Sequence, residues 1–138
     1  MNIIVEQAGT EKPVTILEIQ GELDGKTYKS LIQQVEQLYQ SGTRRLLLDL
    51  SEMTFMSSAG LVGLHTAVMV MRGQQPPDME HGWNVMREIT HNINSTTGYD
   101  VNCKLLQPQP RVQMTLEITG ISQLLETFTD RETAVNSF

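Results

Sequence analysis

The stretch Leu46-Leu-Leu-Asp-Leu-Ser-Glu-Met-Thr-Phe-Met-Ser-Ser-Ala-Gly-Leu61 decides the reading of this chain. Leu46, Leu47, Leu48 and Leu50 form a short apolar run of the kind shown by a strand covered on both faces, and a second apolar run begins at Leu61. Ser57 and Ser58 stand between them, where a helix should start. A helix start presents unpaired backbone amides and the positive end of the helix dipole, so a serine there has two uses. It can cap the helix by accepting a bond from an amide two or three residues on, which contributes about 1 kcal/mol. It can instead carry an oxyanion such as a phosphate, which the same field favours by up to about 1 kcal/mol. Spacing alone favours the cap, and leaves open whether Ser58 is also an acceptor.

Toward the N-terminus, Val14-Thr-Ile-Leu-Glu-Ile-Gln20 alternates well, residues 2–7 alternate weakly, and Gly9-Thr-Glu-Lys-Pro13 supplies turn residues between them. These features predict an opening hairpin. Gly21-Glu-Leu-Asp-Gly25 reads as a break in the second strand. Tyr28, Leu31, Ile32, Val35, Leu38 and Tyr39 then recur at three- and four-residue steps, predicting an amphipathic helix that ends at Gly42. A strand, a helix and a further strand joined by short loops favour a right-handed crossover and a parallel pair, so the sheet should be mixed.

Toward the C-terminus, residues 60–71 leave almost no polar face, predicting a helix buried on most sides. Residues 73–100 read as an extra element set into a compact α/β pattern. Within it Asp78 is placed to cap a helix with the stripe Trp83, Met86, Ile89 and Ile93, which either docks on its own domain or forms a self-association arm. Residues 101–107 predict a strand. Val112, Met114, Leu116 and Ile118 alternate as a strand would, yet Val112, Leu116 and Thr119 share a helical face and Pro110 suits a first helical turn. That segment stays ambiguous. Residues 121–128 read as a short strand, and Asp130 as the cap of a last helix.

Length is consistent with one domain over residues 1–138. The net charge of -6 argues against a nucleic-acid partner, since a phosphate backbone would repel it. No window approaches the roughly 18 uninterrupted apolar residues of a membrane span, and the N-terminus carries no export-signal pattern, so a cytoplasmic address is expected. The single cysteine, Cys103, reads as a small buried residue.

A nucleophile elbow requires glycine on both flanks of its serine, and Met56-Ser57-Ser58-Ala59-Gly60 has only the second. His65 lies about 10 Å from Ser58 along the same helix, too far to act as its base. His81 and His91 lack metal-ligand spacing. There is no Walker-type loop, and no metal or cofactor is expected. Asp24 reads equally as a turn aspartate and as a partner contact.

Gly21-Glu-Leu-Asp24, Leu48-Asp-Leu-Ser51 and Phe55-Met-Ser-Ser-Ala-Gly-Leu61, in this order and spacing, resemble the STAS domains of anti-sigma-factor antagonists. The resemblance covers residues 1–72 and resumes at Cys103, with Pro110 to Ile121 similar to the family's third helix and following turn; residues 73–100 have no counterpart. It implies an α/β fold with a STAS-like mixed sheet of about four to five strands covered by helices, the inserted segment following the second helix. It also implies a protein-binding switch rather than an enzyme. The unphosphorylated form would bind an anti-sigma factor that is also a serine kinase, and a serine phosphatase would reverse phosphorylation.

The family pattern is Asp, phosphorylated Ser, Ser or Thr, then Gly-Leu. It places the acceptor at Ser58, with Ser57 the alternative, and partner contacts at Asp24, Ser57, Ser58, Gly60 and Leu61. Ser57 stands where the family carries the aspartate. A constitutive STAS scaffold and a small serine-dependent α/β enzyme are the competing readings, and self-association through residues 73–100 is a further expectation.

Overall fold

In a computed structural model of the chain, residues 1–9, 11–74 and 98–138 are described. The hairpin forms as expected: β1 (Asn2–Ala8) pairs antiparallel with β2 (Val14–Leu23), Ile4 opposite Glu18 and Glu6 opposite Ile16. The 2-residue alternation of β2 decides its faces, with Leu17 and Ile19 turned to one core cluster and Val14 and Ile16 to another. The expected break at Gly21 does not occur. Gly21 takes φ +96°, a left-handed conformation suited to glycine, and the strand runs on through a register shift to Leu23.

α1 (Tyr28–Gln40) buries Leu31, Ile32 and Val35, and β3 (Leu46–Asp49) returns parallel to β2 with Leu17 opposite Leu48. The chain then turns at Asp49, whose Oδ1 accepts the Ser51 N–H at 3.0 Å, and enters β4 (Met53–Met56). β4 runs parallel to the far end of β2, Leu23 opposite Met56, and was not anticipated as a separate strand. α2 (Ser58–Met71) follows directly and is buried on most sides, as its largely apolar composition requires, His65 and Thr66 included in the burial.

β5 (Cys103–Leu106) pairs parallel with β3, and α3 (Pro110–Thr119) resolves the ambiguous segment as a helix. Pro110 occupies its first turn, Val112 and Leu116 face the core, and Met114 and Ile118 stay 61% and 77% exposed. Residues 121–128 are not one strand. Gly120 closes α3 in the left-handed conformation, Ile121–Gln123 form a 3-10 turn, and Leu124 and Leu125 are both buried, which alternation forbids. Only β6 (Thr127–Phe128) is extended. α4 (Arg131–Asn136) ends the fold, with Asp130 accepting the Thr133 N–H at 2.9 Å as its cap.

Among the described residues the sheet therefore has six strands, in the order β1-β2-β3-β5-β6 with β4 beside β2. That is one more than the four to five expected, because residues 53–56, between the expected strand and the expected helix, form a strand of their own. α1, α2 and α3 pack on one face. The other face carries a smaller cluster of Val14, Ile16, Leu47 and Leu106 under Ala134 of α4. Lys104 anchors that cover: its Nζ donates to the Ser137 carbonyl at 2.9 Å and lies 4.8 Å from the Phe138 ring centre.

The expected cap Asp78, the stripe Trp83, Met86, Ile89 and Ile93, and His81 and His91 lie outside the described residues. The residues on either side of that segment are tied to each other. Arg72, which caps the end of α2, donates from Nε to Asp100 Oδ2 at 2.5 Å, and Asp100 Oδ1 accepts the N–H groups of Asn102 at 2.8 Å and Cys103 at 3.1 Å. A charged clasp, with Asp100 buried and Arg72 at the surface, thus joins the end of α2 to the entry of β5.

Candidate functional site

The site is built where β2, β4 and α2 meet. Leu23 closes β2 with its side chain in the core, and its carbonyl accepts the Ser57 N–H at 3.0 Å, which fixes the chain as it leaves β4. Ser57 is extended, with φ -91° and ψ 179°, and its Oγ accepts the Gly60 N–H at 3.2 Å. Ser57 is thus the N-cap of α2. Ser58 is the first helical residue and is exposed. The two serines, equivalent by spacing, are separated by geometry: one hydroxyl is committed to the helix and the other stands on the surface at its positive end.

Gly60 and Leu61 lie beneath that surface. Gly60 is buried where α2 rests on the end of β2; an added Cβ would sit 2.3 Å from the Leu23 carbonyl oxygen. Leu61 is 2% exposed and packs in the core. As the chain is folded, these two shape the site from below rather than face outward from it.

Asp24 sits in the turn between β2 and α1. Its Oδ1 accepts the Lys26 N–H at 2.9 Å, and its carbonyl accepts the N–H groups of Thr27 at 3.2 Å and Tyr28 at 3.0 Å. This is the turn role weighed for it from sequence. The turn also abuts the start of α2, since a Cβ placed on Gly25 would lie 3.9 Å from Ala59 Cβ. Asp24, half-buried, and Ser58, exposed, therefore belong to one surface. Thr54 and the 39% exposed Phe55 of β4 adjoin it. Sequence reasoning missed these two because β4 itself was missed. The signal was present in Leu48-Asp-Leu-Ser51, whose Asp and Ser make the turn that separates β3 from β4.

His65, two turns along α2, is 2% exposed, and among the described residues its Nδ1 has no hydrogen-bond partner. Burial, assisted by the Arg72 charge, pushes its pKa down to about 4. A neutral, buried imidazole has no access to the exposed Ser58 hydroxyl. Cys103 is buried, and burial pushes its thiol well up, aided by the Asp100 carboxylate, so it is inert as a nucleophile. Among the described residues no group of three His, Cys, Asp or Glu side chains is placed to hold a metal ion. No helix of the described residues is long and apolar enough to cross a membrane.

Residues 7–77, just over half of the chain, match the protein family described as Mlab, STAS domain. The chain belongs to the STAS domain family. No curated protein matches it significantly. In fold, this STAS domain is similar to an anti-sigma factor antagonist from Mycobacterium paratuberculosis, with a TM-score of 0.65 and 15% identity over 99% of this chain and 93% of that one. It is similar also to the anti-sigma factor antagonist SpoIIAA in its unphosphorylated form, with a TM-score of 0.55 and 15% identity over 96% of this chain and 92% of that one. The Bacillus cell fate determinant SpoIIAA in the phosphorylated form gives 0.52 and 16% identity over 96% of each chain. These likenesses establish the architecture, a STAS sheet with its helices; the roles of Ser57, Ser58 and Asp24 rest on the local geometry.

Proposed function

We propose that this STAS domain is a cytoplasmic anti-sigma-factor antagonist that binds a kinase-type anti-sigma factor when Ser58 is unmodified and releases it when Ser58 carries a phosphate. The binding face is the surface shared by the Asp24 turn, Thr54, Phe55 and the two serines. The observation that carries this reading is the division of labour at the start of α2: Ser57 caps the helix through Gly60, and Ser58 stays exposed beside it. A phosphate on Ser58 brings about -1.5 to -2 charges onto a surface that a partner must dry and contact closely, so repulsion and desolvation cause release without refolding. Ser57 in place of the family's aspartate removes one carboxylate from beside that phosphate. The helix start keeps its cap, because a hydroxyl oxygen accepts the Gly60 amide.

Capture with a cognate kinase-like anti-sigma factor tests the switch. Ser58→Ala should retain binding and Ser58→Asp should weaken it; equal binding by the two variants refutes the switch. A constitutive STAS interaction module is the second reading, favoured by the same absence of a carboxylate at position 57. Mass spectrometry after incubation with host serine kinases and ATP separates the two, since a constitutive module has no need of a phosphate on Ser57 or Ser58; a serine phosphatase added afterwards should remove the mark.

A further inference from the structure

The two edges of the sheet are treated differently. β6, at one end of the strand order, has two residues and offers almost no template. β1, at the other end, has seven, Asn2-Ile-Ile-Val-Glu-Gln-Ala8, and among the described residues pairs only with β2. An edge strand of this length exposes a row of unpaired N–H and C=O groups, which proteins usually guard with lysine, proline or a bulge. β1 has none of these, and Ile4 and Val5 are each 40% exposed on its two faces. Its single charge, Glu6, is held by Arg131 of α4.

Beside this edge runs a groove of about 340 Å³ between β1 and α1, lined by Met1, Asn2 and Ile3 on one side and by Ser30, Gln33, Gln34 and Gln37 among others on the other. These α1 residues follow the three- and four-residue steps of one helix face, and all are uncharged amides or hydroxyls. In a chain of net charge -6, among the described residues the long edge and the helix face beside it carry no unpaired acidic side chain.

We infer that β1 is a self-association edge, pairing antiparallel with β1 of a second copy of this chain about a two-fold axis perpendicular to the sheet. Self-complementarity selects the second copy as the occupant. A side-chain amide is both donor and acceptor, so a glutamine row can bond its own image, whereas a row of lysines or glutamates would repel it. The pleat fixes the register. Opposite residues must lie on the same face, and only a pairing centred on Val5 engages all of Asn2–Ala8. That register sets Val5 against Val5, Ile4 against Glu6 and Ile3 against Gln7, so the two Glu6 carboxylates never oppose each other. The two α1 helices then lie side by side on one face of a continuous sheet, with Gln33, Gln34 and Gln37 of both copies filling the groove. The groove reaches Thr27, whose hydroxyl accepts the Asp24 N–H at 2.9 Å, so this edge adjoins the Asp24 turn while Ser58 itself stands on α2, outside the groove lining.

Sedimentation of the full chain over a concentration series tests this. The wild type should pass from the 15.5 kDa chain mass to twice that value. Val5→Lys, which guards the edge with a charge, should leave a folded monomer by circular dichroism, and Gln33→Glu with Gln37→Glu should weaken the dimer about tenfold or more. Should Val5→Lys unfold, the glutamate pair on the exposed helix face decides alone. A wild type that stays at 15.5 kDa throughout, or a dimer unaffected by the variants that fold, overturns the inference.

Discussion

Replacing Gly60 by alanine probes the contact on which the whole site rests. The added methyl carbon would lie 2.3 Å from the Leu23 carbonyl oxygen and 3.0 Å from Met56 Cγ. Carbon and oxygen sit comfortably only beyond about 3.3 Å, so the helix start and the strand end must separate by about 1 Å. Leu23 has little freedom to retreat, because its side chain is fully buried and its backbone is paired with Met56. The start of α2 must therefore lift, stretching the Ser57 N–H bond to the Leu23 carbonyl and the Ser57 cap on Gly60. Overpacking costs about 1–3 kcal/mol, and the strained cap and backbone bond about 1 kcal/mol each. Alanine's better helix propensity returns about 1 kcal/mol. The net loss is about 3 kcal/mol, or roughly 10 °C in Tm for a domain of this size. Urea unfolding followed by far-UV circular dichroism reads it directly, with an unchanged slope confirming two-state unfolding. A loss below about 0.5 kcal/mol, the range of a neutral surface change, would refute the claim that α2 is seated on β2 through this glycine.

Three further substitutions test the surrounding structure. Ser57→Asp keeps a cap acceptor and adds a negative charge at the positive end of α2, so stability should hold or rise by up to about 0.5 kcal/mol; urea unfolding showing a loss of about 1 kcal/mol or more would contradict the cap geometry. His65, whose folded pKa of about 4 lies below the ordinary imidazole value of 6.5, takes up a proton more readily when unfolded. Its contribution is therefore present above pH 6.5 and lost as pH falls toward 4. The stability difference between wild type and His65→Phe should shift by about 2 kcal/mol against the wild type from pH 7 to pH 5, and a flat difference would contradict the burial of a neutral imidazole. Asp100→Ala strips Arg72 of its partner and leaves the Asn102 and Cys103 amides without theirs, for a loss of about 3 kcal/mol in the same unfolding assay.

How much of this was legible in the sequence depended on whether a pattern had one physical interpretation. The alternation of Val14 to Gln20 and the stripe from Tyr28 to Tyr39 each fit a single period, and β2 and α1 follow them. At Val112 to Ile118 two periods fit, and local chemistry alone could not choose. Pro110 at the helix start and the left-handed Gly120 at its end accompany the helix, at the cost of exposing Met114 and Ile118. β4 was missed because its four residues follow β3 after a three-residue turn with no glycine or proline. The register shift at Gly21 could not be read because it depends on β4, a partner distant in sequence. The site inherited the same limit: the serines and Asp24 were visible as residue types, whereas the commitment of Ser57 to the cap and the burial of Leu61 are products of tertiary packing.

The unanticipated strand explains how Ser58 reaches the surface. Had β3 led straight into α2, the helix would have begun beside Glu18 and Asp49, where the paired strands β2 and β3 end. The Asp49–Ser51 turn instead carries the chain onward, and β4 runs parallel to the last residues of β2. That extension brings Ser57 to the Leu23 carbonyl and the first turn of α2 to the Asp24 turn, which immediately follows β2. Gly60 then allows close seating, and the Ser57 cap fixes the direction in which α2 departs. A chain that shortened β4 by one residue would hold Ser57 about 3.3 Å short of the Leu23 carbonyl, and would separate Ser58 from Asp24 even with every residue of the serine motif in place.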